Sequence, residues 1–384
     1  MKIIKSATLE SLDAICVDVE ATFTKGLPSF SIVGLASSSI QESKDRVKSA
    51  LLTNDFKFPP KKITINLSPS DINKNGTHFD LSIALLVALY DTKVKFDDFY
   101  IFAELALDGT LKENSSIFPS ILSLAKKVDK LSVLVPKSIE DKIAMIPNIS
   151  VYSAKNLNDA IMFFNSKEKE KYKVPQYKMS CDTLFINNKQ FYYNKKYELN
   201  FSEVKGQKVA KRAALIAVSG NHNVIFEGSP GCGKSMIIKR LQYIMPPQTV
   251  EQILEKAKLD SLNLIEPNFD ASTVFRSPHH TSTRASIFGG GTINSKIGEI
   301  ALSNNGILFF DELPHFPKAI LESMREPLED NKILISRVNS KTNYETKFLF
   351  ACAMNPCPCG NLLSDTKQCR CNELEITRYK SKFS

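Results

Sequence analysis

The stretch Asn223-Val224-Ile225-Phe226-Glu227-Gly228-Ser229-Pro230-Gly231-Cys232-Gly233-Lys234-Ser235 decides how the second half of the chain folds. A short apolar run to Phe226 feeds Gly228 to Ser235, which fits the spacing GxxxxGK(S/T), and Met236 to Tyr243 then has apolar residues at helical spacing. Strand, glycine loop and helix in that order begin a parallel α/β nucleotide-binding unit. Each residue type has a physical reason. Glycines let successive backbone N–H groups close around phosphate oxygens, and the helix N-terminus adds positive potential. Lys234 reaches the β- and γ-phosphates and the Ser235 hydroxyl ligates magnesium. A glycine-rich turn with no ligand is the alternative that these residues leave open.

Two more strands extend the reading. Gly306-Ile307-Leu308-Phe309-Phe310 is apolar throughout, as a buried parallel strand is, and ends in Asp311-Glu312. Asp311 is placed to hold magnesium, and Glu312 to orient or deprotonate an attacking water. Alone, the same residues fit a strand entering a turn. Lys347 to Ala353 is a third buried strand, followed by Met354-Asn355-Pro356. A polar amide at the carboxyl end of a strand lies where open α/β sheets bind ligands, so Asn355 can reach a γ-phosphate or a lytic water. The competing reading is an asparagine that opens a turn before proline. Spacing alone delivers a magnesium-dependent nucleoside triphosphatase and no more.

The whole chain sets the bounds. Its 384 residues suggest two or three domains, and 43% hydrophobic with 24% charged residues excludes wholesale disorder or a fibrous repeat. Unbroken apolar runs such as Ile83 to Leu89 have seven residues, far below the roughly 20 of a membrane helix. Charges and hydroxyls interrupt the first 20 residues too often for a signal peptide, so a cytoplasmic protein with no membrane partner is expected. The net charge of +9 is compatible with a polyanionic partner but diffuse.

Texture divides the chain into an α/β or α+β domain over 1–165, a linker over 166–200 and a nucleotide-binding domain over 201–384. Lys167 to Tyr197 carries eight lysines against three acids, with five tyrosines interleaved. Such a stretch can stack on and neutralise single-stranded nucleic acid, or it is a solvated tether or a small hairpin around Asn187-Asn188. Of eight cysteines, Cys352, Cys357, Cys359, Cys369 and Cys371 crowd into one segment. Two CxC pairs, Cys357/Cys359 and Cys369/Cys371, can close a tetrahedral zinc site that staples the loop after Asn355; reduced loop cysteines are the alternative. Cys352 reads as core.

Val204-x-Gly206-Gln207, Ala210-Lys211-Arg212-Ala213, the glycine loop, Arg276-Ser277-Pro278-His279-His280-Thr281, Gly289-Gly290-Gly291, Gly298-Glu299-Ile300 and Asp311-Glu312-Leu313-Pro314 together resemble the magnesium-chelatase-like AAA+ family of YifB and ComM. The resemblance runs from Phe201 to the C-terminus. It implies a P-loop AAA+ αβα core that binds ATP and Mg²⁺, with Gln207 among the nucleotide-binding residues and Lys234, Glu312 and Asn355 as catalytic residues. It also implies a ring of six subunits and a DNA partner, single-stranded or branched, in branch migration during natural transformation. By the same resemblance His279, His280 and Gly289 to Gly291 face a central pore; on their own residues, one histidine can equally cap a loop.

Gly26-Leu27-Pro28-Ser29-Phe30, Glu42-Ser43-Lys44-Asp45-Arg46, Asn66-Leu67-Ser68-Pro69-Ser70-Asp71, Gly76 and Phe79-Asp80-Leu81 resemble the family's Lon-protease-like domain, a ribosomal S5-like α+β fold. The peptidase serine falls near Thr77 to Phe79 and its lysine near Phe118, so neither is present and an assembly or interaction module is expected. The run Ile376 to Ser384 resembles the point just before the family's last core strand, its arginine acting in trans and its helical lid. A core lacking that lid, in a truncated or split product that binds ATP better than it hydrolyses it, is therefore expected. An ATP-driven protein remodeller and a noncatalytic nucleotide-binding remnant are the alternatives.

Overall fold

The computed structural model describes residues 2–96, 99–291, 296–337, 340–364 and 366–382. Phe383 and Ser384, the end of the C-terminal run quoted above, lie outside them. The chain divides into two compact units, Met1–Met179 and Ser180–Ser384.

In the first unit, β1 (Lys2–Glu10), β2 (Asp13–Thr24), β3 (Ser29–Val33), β4 (Lys62–Ser68), β5 (Tyr100–Ile101), β8 (Leu131–Pro136) and β9 (Ile149–Ala154) form one mixed sheet in the order β3-β4-β2-β1-β5-β8-β9. A short pair, β6 (Glu104–Leu105) with β7 (Leu111–Lys112), lies outside it. Alternation explains the strands: Ile63, Ile65 and Leu67 of β4 are buried while Lys62, Thr64 and Asn66 are not. The helix Asp80–Ala88 is apolar on every side and buried from Asp80 to Val87, which makes it the centre of this core.

Asp80, at the first turn of that helix, joins two of the quoted motifs. Arg46 Nε donates to its Oδ2 at 2.7 Å, Arg46 Nη2 to its Oδ1 at 3.2 Å, and the Ser43 hydroxyl also donates to it. Burial pushes the Asp80 carboxyl up, against the pull of the Arg46 and Ser43 hydrogen bonds. Thr77, where the family's peptidase serine was sought, is bonded to the Glu104 carboxylate and accepts from Asn114 Nδ2 at 3.2 Å, and Phe118 is a core residue.

The second unit begins with a hairpin, β10 (Asp182–Ile186) and β11 (Lys189–Tyr193). Its turn residues Asn187 and Asn188 both have positive φ, 48° and 61°, the pairing that a two-residue hairpin turn demands. Tyr192 and Gln248 exchange backbone hydrogen bonds of 2.7 and 2.8 Å, which fasten the hairpin to this unit. Part of the Lys/Tyr-rich stretch is thus folded.

The core sheet of this unit is parallel and consists of β12 (Val224–Glu227), β13 (Phe275–Arg276), β14 (Ile307–Phe310) and β17 (Leu349–Met354), in the order β12-β17-β14-β13. A separate hairpin, β15 (Lys332–Arg337) with β16 (Ser340–Glu345), lies between β14 and β17 in the chain. All four residues of β14 are buried, as the apolar run requires. The helix expected over Met236 to Tyr243 is shorter: Lys234–Ile238 is helical and Leu241–Tyr243 is a 3₁₀ turn. Arg240 accounts for the break. Its side chain turns back to donate to the Met236 carbonyl at 3.0 Å and the Asn200 carbonyl at 2.9 Å, and pairs with Glu203.

His78 makes the first unit sensitive to acid. It is fully buried against Phe79 and Phe102, its Nε2 lies 2.7 Å from the Ala7 carbonyl, and burial holds its pKa down at about 4. The unfolded chain takes up a proton near pH 6.5 and the folded one only near pH 4, so stability is fully present above pH 6.5 and is lost as pH falls through that window. At pH 4 the loss should reach about 3 kcal/mol. Amide hydrogen exchange over residues 80–88 measures it: protection should fall between pH 6.5 and 4 in the wild type and much less in His78→Gln.

Candidate functional site

Strand order builds the site. Because β17 lies between β12 and β14, the three carboxyl ends bring Gly228, Asn355 and Asp311 to one edge of the sheet. Phe226 pairs with Ala353 and Phe309 with Ala351, so the strands end nearly level. This is where open α/β sheets take ligands.

The glycine loop bends where side chains would be strained: Gly231 and Gly233 have φ of 79° and 95°. Lys234 closes the loop on itself. Its Nζ donates to the carbonyls of Gly228 (2.7 Å) and Ser229 (3.0 Å) and to Asn355 Oδ1 (3.2 Å). All three acceptors are neutral, so a charged phosphate oxygen offers the ammonium a stronger bond than any of them. The Ser235 hydroxyl donates to Asp311 Oδ2 at 3.1 Å. Gln207 stands at the N-terminus of the helix Lys208–Gly220, and its Nε2 donates to the Cys232 carbonyl at 3.3 Å. Gly228, Ser229, Pro230, Gly231, Cys232, Gly233, Lys234, Ser235, Gln207, Asp311 and Asn355 therefore lie around one place.

Glu312 follows Asp311 in the left-handed region, φ 53°, and its side chain is half exposed. His315 Nδ1 lies 3.0 Å from Glu312 Oε2, and its backbone N–H donates to the Glu312 carbonyl at 2.8 Å. Sequence reasoning missed His315; the only signal was its spacing of three from Glu312, which matters because Leu313–His315 is a 3₁₀ turn. The His280 ring is centred 5.8 Å from His315, while His279 Nδ1 is 2.8 Å from Thr281 Oγ1. Arg276 and Glu299, from two separate quoted motifs, form an ion pair at 3.8 Å.

A second cluster lies in the loop after Asn355. The sulfur of Cys357 is 3.4 Å from that of Cys359 and 3.7 Å from that of Cys369; Cys359 and Cys369 are 3.7 Å apart. Cys371 completes a set whose sulfurs all lie within 4.8 Å. Backbone N–H groups of Arg370 and Asn361 aimed at Cys359 pull its thiol down to about 6. Cys352 stands apart, fully buried in β17, with its thiol pushed up by burial.

Two family patterns match this chain: the one described as magnesium chelatase, subunit ChlI, over residues 200–384, and the one described as subunit ChlI of Mg-chelatase, over residues 19–139. The competence protein ComM of Haemophilus influenzae is 35% identical over 389 residues, covering 100% of this chain and 74% of that protein. The protein YifB of Escherichia coli is 33% identical, covering 100% and 73%.

The chain belongs to the YifB/ComM family of magnesium-chelatase-like proteins.

That membership supports an ATPase-type role. A more distant member, Rv2897c of Mycobacterium tuberculosis, is 28% identical over 99% of this chain. No helix among the described residues is long and apolar enough to cross a membrane. Thiol chemistry checks the geometry of the site. With iodoacetamide on the reduced native chain, the exposed Cys16 and Cys232 should alkylate without denaturant and the buried Cys352 only after unfolding, read by peptide mass spectrometry.

Proposed function

We propose that this chain is the nucleotide-hydrolysing part of an AAA+ motor that binds ATP with Mg²⁺ and acts on DNA. One observation carries the ATPase reading: the same sheet edge that holds Lys234 to Asn355 at 3.2 Å also holds Ser235 to Asp311 at 3.1 Å. An ammonium and a hydroxyl–carboxylate pair, side by side on a glycine loop, are the groups that a magnesium–triphosphate needs. On binding, Lys234 gives up its bonds to the Gly228 and Ser229 carbonyls for the β- and γ-phosphate oxygens. Ser235 and Asp311 would hold the magnesium ion, which neutralises phosphate charge. Glu312, steadied by His315, takes a proton from the attacking water, and Asn355 holds that water or the γ-phosphate. Gln207 keeps the loop in shape through the Cys232 carbonyl. The four clustered thiols add a structural zinc site, for which their sulfur spacing is suited.

DNA as partner is supported by the +9 charge, the lysine- and tyrosine-bearing hairpin and the likeness to a competence protein. The family reading supports assembly into a hexameric ring, with the first unit as an assembly or interaction module. A chelatase-type remodeller of proteins is the second reading, favoured because both matching patterns are those of magnesium chelatase.

Three measurements test this. Lys234→Ala should weaken binding of a fluorescent ATP analogue by about tenfold or more. Glu312→Gln should keep that binding while turnover drops about 10²- to 10⁴-fold. ATP turnover should rise on adding single-stranded or branched DNA; no rise, together with capture of a protein client, would favour the remodeller.

A further inference from the structure

The segment that carries the thiol cluster reaches the glycine loop and the neighbouring residues Glu227 and Asn355. Gly360, one residue after Cys359, has φ of +77°, and a Cβ there would lie 2.5 Å from Pro230 Cδ, so its bare Cα rests directly on the glycine loop. Cys371 leads into Asn372, which caps the helix Glu373–Lys380 in a reciprocal capping box with Glu375. At the far end of that helix Tyr379 is buried, and the Asn355 backbone N–H faces its hydroxyl and pulls it down against the push of burial. The next residue, Lys380, pairs through Nζ with Glu227 Oε1 at 3.1 Å, immediately before Gly228. The cluster thus sits at the junction of two arms, one ending on Pro230 and the other on Asn355 and Glu227.

The chain from Asn355 to Asn372 contains no strand or helix among its described residues; its own turns, Gly360 N–H to the Cys357 carbonyl at 3.0 Å and Ser364 N–H to the Asn361 carbonyl at 3.0 Å, do not join Cys357 and Cys359 to Cys369 and Cys371. Tetrahedral zinc with Zn–S bonds of about 2.3 Å separates its sulfurs by about 3.8 Å; those of Cys357, Cys359 and Cys369 lie 3.4 to 3.7 Å apart, and that of Cys371 lies within 4.8 Å of them. Disulfide-bonded sulfurs lie about 2.05 Å apart. The Cys359 N–H already points at the Cys371 sulfur at 3.4 Å, as donors to metal-bound thiolates do. Each thiol gives its proton to solvent as the ion binds, and the binding energy orders the loop.

We propose that zinc held by Cys357, Cys359, Cys369 and Cys371 braces the nucleotide site: the loaded cluster presses Gly360 onto Pro230 and holds the helix Glu373–Lys380 against Asn355 and Glu227, so that zinc and nucleotide each bind more tightly in the presence of the other. This rests on the ATP and zinc readings above and adds their coupling. Thermodynamic linkage requires the effect to be mutual and of equal size in both directions.

The test uses the full reduced chain. Zinc is measured by metal analysis, and magnesium-dependent affinity for N-methylanthraniloyl-ATP by fluorescence, before and after zinc is stripped with a chelator that is then dialysed away. The expected result is one zinc per chain, affinity about tenfold weaker without it, recovery on adding zinc chloride, and slower zinc extraction when the analogue is saturating. If the stripped chain aggregates, Gly360→Ala carries the test: it keeps all four thiols but drives a methyl group into Pro230, so one zinc should remain while nucleotide affinity falls. A reduced chain that takes up no zinc overturns the proposal at its metal. One zinc per chain, with affinity unchanged both by stripping and by Gly360→Ala, overturns the coupling alone. Zinc uptake without nucleotide binding in either form overturns the coupling together with the ATP reading.

Discussion

The pairing of β17 with β12 on one side and β14 on the other is the constraint on which the rest of the second unit depends. Backbone hydrogen bonds fix the register of these three strands, and register fixes which residues emerge together at their carboxyl ends. Ile307, Phe309, Leu349, Ala351 and Ala353 are buried in one cluster, which holds the three strands together on that face. Asn355 then stands between the glycine loop and Asp311 without any further device. Small displacements of β17 should be felt at Lys234, at Asp311 and at the thiol cluster alike.

Charged groups are handled differently in the two units. In the first, the Asp80 carboxylate is buried and matched by Arg46, Ser43 and the Leu105 N–H, an arrangement that ties the helix Asp80–Ala88 to the helix Ser43–Thr53. Removing one partner there leaves a charge without compensation, which costs more than the pair contributes. In the second, Lys234, Asp311 and Glu312 are at most half-buried and bonded to groups that a ligand can replace. The first pattern suits a fixed scaffold and the second a binding site.

Local chemistry was legible in the sequence, and long-range order was not. Glycines that need positive φ, the apolar run of β14 and the polar residues at strand ends are set by neighbours in the chain, so the glycine loop and Asp311-Glu312 were readable from spacing. That β17 lies at the centre of the sheet depends on pairings more than a hundred residues apart, such as Ile225 with Cys352, and no periodicity encodes it. The helix after Ser235 was overestimated because helical spacing says nothing of Arg240, whose side chain finds better partners by leaving the helix. His315 escaped notice because a 3₁₀ turn, not an α-helix, brings it back to Glu312. The cysteine spacing suggested a metal site but could not say that Gly360 lies on Pro230 or that the following helix returns to Asn355.

The central claim is that a divalent cation and a triphosphate are held together between Lys234, Ser235 and Asp311. Electron paramagnetic resonance with Mn²⁺ in place of magnesium, on the full chain with a slowly hydrolysed ATP analogue, tests it most directly. The account predicts one tightly bound Mn²⁺ per chain that appears only with the nucleotide and is lost in Asp311→Asn. A nucleotide-dependent Mn²⁺ signal of equal strength in the wild type and in Asp311→Asn would contradict it.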